Sequence, residues 1–152
     1  MNTGMNLVGS AALISLLALA SIKDARSGRI PDPITLGGML LGLSLGLWRA
    51  DFAGSIVGIL VGGGLAYSFG RVGFFVSKKE ILGTGDIKLV AMIGSFLGWH
   101  GVLLVFFTAP FLALPYGLYR QWKGRQDKIP YAPFLSIAVL IYLFTVLPLI
   151  NK

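Results

Sequence analysis

Apolar positions gather in six runs, at about residues 6–22, 33–48, 53–75, 87–98, 101–119 and 131–149, and most charged residues fall between them. Runs of this kind predict helices that cross a bilayer, since a span needs about 20 residues at 1.5 Å each to cover a hydrocarbon core of roughly 30 Å. The fourth run is the exception: Ile87 to Gly98 reaches only about 18 Å as a helix. If Trp99 and His100 mark one interface, Asp86, just ahead of that run, lies below the other. The first run does not have the flanks of a cleaved signal, because no positive segment precedes it and Lys23, Arg26 and Arg29 follow it. It reads as a retained first helix. Pro110 and Pro115 fall inside the fifth run and are expected to bend it. The pattern predicts an all-α, polytopic membrane protein of about six transmembrane helices, forming a single membrane-embedded domain over residues 1–152.

The basic residues orient these helices. Lys23, Arg26, Arg29, Arg71, Lys78, Lys79, Lys88, Arg120, Lys123, Arg125 and Lys128 lie in or beside the odd-numbered loops, and only Arg49 and Lys152 fall on the other side. By the positive-inside rule the odd loops are cytoplasmic and both termini are outside, as expected for a multi-pass protein of the cytoplasmic (inner) membrane. Glycine recurs every four residues at Gly38, Gly42 and Gly46 and again at Gly54, Gly58 and Gly62. Such stripes let helix backbones approach closely, so the second and third helices are expected to pack on each other across the turn Arg49-Ala50-Asp51.

Composition narrows the chemistry. With 55% hydrophobic and 12% charged residues the chain is no ordinary soluble domain. The lipid bilayer is its medium, and its net charge of +7 reports topology and not a nucleic-acid partner. No cysteine and one histidine leave no zinc centre to build, so no metal or cofactor is expected.

Two acids stand out against this background. Asp86 follows two glycines in Gly83-Thr84-Gly85-Asp86, at the head of the short fourth run, where a charge costs free energy and usually serves a function. Asp24 ends the first run on the same predicted side. Asp86 could cap a helix N-terminus, but Asp24 faces the unfavourable pole of its own helix, a cost tolerated for function or offset by Lys23 and Arg26. Asp32, in Pro31-Asp32-Pro33, has the pattern of an N-cap followed by proline and reads as structural. Two carboxyls at one membrane face fit peptide hydrolysis, in which one takes a proton from water and the other protonates or polarises the scissile amide. The glycines before Asp86 leave room for an extended substrate to pass the acid at short range.

These residues resemble the type IV prepilin peptidases, membrane aspartyl proteases that include the archaeal preflagellin peptidases. Asp24-Ala-Arg-Ser-Gly-Arg-Ile-Pro-Asp-Pro-Ile-Thr35 is similar to the family's first motif, and Gly83-Thr-Gly-Asp-Ile-Lys-Leu89 to its GxGDxKL motif. Ile93-Gly-Ser-Phe-Leu-Gly-Trp99 continues as in bacterial members, and Ile129-Pro-Tyr-Ala-Pro-Phe134 is similar to their Ile-Pro-Phe-Gly-Pro segment. The resemblance implies a catalytic pair, Asp24 and Asp86, with Gly83, Gly85 and Lys88 as supporting motif residues. It further implies cleavage of a short basic leader from prepilin or pseudopilin substrates at the cytoplasmic face, just after a glycine. Larger relatives carry an N-terminal cytoplasmic domain associated with N-methylation, often with paired cysteines. This chain begins almost directly with its first helix and is expected to be a compact peptidase without methyltransferase activity. Two other readings use the same acids or none: a small proton- or cation-coupled transporter component, and a catalytically idle assembly scaffold. His100 reads as an interfacial residue, and Glu80 as a solvated loop charge.

Overall fold

The structure, a computed structural model, describes residues 3–78, 82–123 and 131–146. Among these residues every regular element is a helix: α1 (Thr3–Ser27), α2 (Asp32–Trp48), α3 (Phe52–Ser77), α4 (Thr84–Trp122) and α5 (Ala132–Ile141), which runs on as a π-helical turn over Tyr142–Val146. Lys79, Glu80, Arg125, Lys128, Ile129 and Pro130 lie outside the described residues. Val8–Ser27, Phe52–Phe75 and Thr84–Tyr119 are long and apolar enough to cross a membrane, and Ala132–Thr145 is a shorter apolar helix. Leu40, Leu60 and Phe111 are well exposed on the outside of the bundle, where lipid tails take the place of water. The chain is an integral, polytopic membrane protein.

The fourth and fifth runs share one helical element that folds back on itself. At Gly98 φ is +69° and ψ −175°, a backbone region essentially reserved for glycine. Both Val90 and Val102 flank Gly62 of α3: a methyl group on Gly62 would lie 2.9 Å from the Val90 carbonyl oxygen and 2.9 Å from Val102 Cγ2. A continuous helix would hold those two valines about 18 Å apart. The arm 84–97 therefore runs against α3 and the arm 99–122 runs with it, Phe106 meeting Phe69 edge-on at 5.8 Å. Pro110 and Pro115 stay within the helical path, and the only non-helical dihedrals inside α4 are at Gly98.

The short fourth run is the centre of the molecule. Every residue from Leu89 to Phe96 is buried. An apolar helix hidden on all sides has no need to match the bilayer thickness, because its neighbours face the lipid in its place. Leu13 and Leu17 of α1, Ala66 of α3, Val102 and Val105 of the second α4 arm, and Leu135 and Val139 of α5 complete the core around it.

α2 and α3 do pack on each other, as their spacing led us to expect, but several of the stripe glycines also face the central arm. Gly38 faces Met92 and Gly42 faces Ser95, while Gly58 meets the backbone of Gly94. Only Gly46 looks across to α3, at Ser55. The further partner was not legible from spacing because each stripe fixes how close a neighbour comes but not which helix the neighbour is. At the end of the bundle that holds the Gly98 turn, Arg49 spans several segments: its Nη1 donates to the Phe96 carbonyl at 3.5 Å, and its guanidinium lies against Gly9 of α1. That carbonyl belongs to the last turn of a helical arm, where backbone acceptors run out of helical donors.

Candidate active site

At the other end of the bundle, the α1–α2 connection, the last turns of α3 and the start of α4 enclose a cavity of about 680 Å³. Asp24, Gly28, Arg29, Ile30 and Asp32 form one wall, Tyr67, Gly70, Arg71 and Phe74 a second, and Leu82 to Ile87 the third. Asp24, Asp86, Gly83 and Gly85 thus line one space, although the two acids are 62 positions apart in the chain. Lys88 does not line it.

Asp24 lies in the last turn of α1, which ends where Gly28 adopts φ +61° and donates its N–H to the Asp24 carbonyl at 2.8 Å. Asp24 as a residue is only 8% exposed. Oδ2 accepts the Ala132 N–H at 3.2 Å. Ala132 opens α5, whose own N-cap residue, Tyr131, supplies no side-chain cap. Asp24 does that work from a different helix, so its position at the wrong pole of α1 is offset by the favourable pole of α5. Neither the cost nor the neutralisation by Lys23 and Arg26 considered from sequence accounts for it as directly.

Asp86 lies in the first turn of α4 and not at its cap; its amide donates to the Gly83 carbonyl at 3.1 Å. Its Oδ1 is buried. The motif glycines have close-range roles: a methyl on Gly83 would come 3.3 Å from Asp86 Oδ2, and one on Gly85 would come 3.2 Å from the Ile30 Cβ. Gly85 lets the head of α4 rest on the α1–α2 connection, and Gly83 leaves the carboxyl its space. Neither has positive φ.

Asp32 is not the N-cap that its flanking prolines predicted. Pro31 holds the cap position, with no side-chain hydrogen bond, and Asp32 is the first helical residue. Freed from capping, its carboxylate pairs with Lys88, Oδ1 to Nζ, at 2.6 Å.

Sequence reasoning missed the contribution of α5. Through Ala132 its first turn touches Asp24, and Tyr131, partly buried against the core, lies within electrostatic reach of Asp86. The Ile-Pro-Tyr-Ala-Pro segment was the available signal, but nothing in it says which loop it approaches. His100 stacks beside Trp99 at the end of the bundle away from this cavity. Among the described residues no group of three or more His, Cys, Asp or Glu converges as a metal site.

Residues 11–118 match the profile of the type IV leader peptidase family. The chain is 29% identical over 147 residues to a prepilin leader peptidase/N-methyltransferase of Burkholderia pseudomallei (strain 1026b), covering 93% of this chain and 47% of that protein. It is 36% identical over 104 residues to one from Klebsiella pneumoniae, covering 67% and 46%, and 28% identical over 127 residues to one from Escherichia coli (strain K12), covering 81% and 56%. The chain spans about half the length of the curated relatives it matches. No solved structure matches it. The transporter reading finds no support among these relatives. With a family profile covering most of its helices, the chain belongs to the type IV leader peptidase family.

Proposed function

We propose that this protein is an aspartic endopeptidase of the cytoplasmic membrane that removes the leader from type IV prepilin or pseudopilin precursors at the cytoplasmic face. Asp24 and Asp86 are its catalytic pair. The observation that carries this reading is that two acids from distant motifs line one cavity at one end of a helical bundle. In the reaction, a water in the cavity gives a proton to one carboxylate as its oxygen attacks the scissile carbonyl. The other carboxyl, acting as the acid, protonates the departing nitrogen as the C–N bond breaks. The Asp24 carboxyl is steered by the Ala132 amide, and the Asp86 carboxyl by the space left at Gly83. Water activation between two acids needs no cofactor.

The test is cleavage of a co-expressed prepilin, read by gel shift. Asp24→Asn and Asp86→Asn should each lower the rate by at least about 10²-fold, the scale of general acid–base catalysis, while the protein still accumulates in membranes. Wild-type processing by either variant would remove that residue from the pair. Orientation is tested separately: engineered cysteines near residue 27 should label only from the cytoplasm and those near 50 and 100 only from outside, against a cysteine-free background. The opposite labelling would put the cavity on the wrong face for this substrate.

A further inference from the structure

The ion pair between Asp32 and Lys88 joins two walls of the cavity. Asp32 opens α2 and shares its wall with Asp24, Gly28, Arg29 and Ile30; Lys88 lies in the second turn of α4, two residues past Asp86. Two residues on a helix are about 200° apart, so Asp86 and Lys88 leave α4 in different directions. One faces the cavity and the other reaches across to α2. The Gly85–Ile30 approach lies beside this bridge and joins the same two segments. The pair's side chains are 39% and 59% exposed, and pairs this open to solvent contribute little to holding a bundle together. What an exposed pair can do is fix geometry locally, and this one ties the start of α4 to the segment that follows Asp24.

We infer that Lys88 is a positioning residue: through Asp32 it sets the location of the α4 turn bearing Asp86 relative to the α1–α2 wall bearing Asp24. The inference rests on the peptidase reading for its kinetic consequence but not for its structural one, so the two are measured together. In purified enzyme with a prepilin peptide, Lys88→Met and Asp32→Asn should each lower kcat about tenfold with KM little changed, since a displaced acid costs rate more than binding. The double variant should be no slower than either single, because both cut one tie. Lys88→Arg should restore most of the rate, and the apparent melting temperature should stay at the wild-type value throughout. In parallel, spin labels on Arg29→Cys and Thr84→Cys report the distance between the walls. That distribution should be narrow in the parent, broaden in Lys88→Met and Asp32→Asn, and narrow again in Lys88→Arg. Losses that multiply in the double variant, or a distance distribution indifferent to both substitutions, would overturn the positioning role. If the distances respond but the parent protein cleaves no prepilin, the positioning role stands and the peptidase reading falls.

Discussion

The two ends of this bundle solve opposite problems. At the end with the Gly98 turn, backbones touch: Gly58 meets Gly94, and Arg49 closes the remaining gap between α1 and the central arm. At the other end the same helices part around about 680 Å³ of open space, held by a few polar ties: Asp24 to Ala132, Asp32 to Lys88 and the close approach of Gly85 to Ile30. In lipid no hydrophobic force drives helices together, so stability has to come from close van der Waals packing. Concentrating that packing at one end allows the other to stay open as a cavity.

The comparison can be broken most severely at the closed end. Gly58→Leu and Gly94→Leu drive a side chain into backbone that cannot move aside, and each should destabilise the protein by about 3 kcal/mol or prevent its accumulation. Gly64→Leu, with open space beside it on the same helix, is the control and should be neutral. Denaturation in mixed detergent micelles reads the difference. Equal losses at Gly58 and Gly64 would mean that the contact with Gly94 does not set the cost, since leucine is the better helix former at both sites.

Arg49→Met should cost about 2 kcal/mol, the scale of a charge-assisted hydrogen bond whose partner is left behind. Because Arg49 lies at the far end from the cavity, prepilin cleavage by the folded fraction should be unchanged. A loss of kcat matching the loss of stability would show the two ends to be coupled.

At the open end, Asp24→Ala and Asp24→Asn should separate chemistry from structure. Both should lower cleavage at least about 10²-fold, but asparagine keeps an oxygen for the Ala132 amide, whereas alanine leaves α5 uncapped at a cost of about 1 kcal/mol. Equal stability of the two would remove Asp24 from the fold of α5. The smallest effect is expected from Tyr131→Phe, which removes a hydroxyl that feels the Asp86 charge but keeps the ring: a loss of rate of no more than about tenfold, the scale of a modest through-space coupling, with unchanged stability. An unaltered rate would confine Tyr131 to packing.

What the sequence determined by itself was that the chain builds apolar helices and that Asp24 and Asp86 stand out among its acids. Hydropathy marks where a chain can leave water, and this is a local property, legible residue by residue. Gly83-Thr84-Gly85-Asp86 was equally legible, because a carboxylate at the head of an apolar run has few reasons to be there. The tertiary structure decided the partners. The stripe at Gly54, Gly58 and Gly62 announces a close approach, but α4 can claim it only because Gly98 turns that element back along α3. Asp32 read as a cap because its neighbours are prolines, and it became the partner of Lys88 because α4 begins beside it. Asp24 looked misplaced at its own helix end, and the amide that receives it comes from a helix 108 positions away. Each of these depends on which segments become neighbours in space. Spacing along one helix fixes the face a residue presents; only the packing of the whole bundle fixes what that face meets.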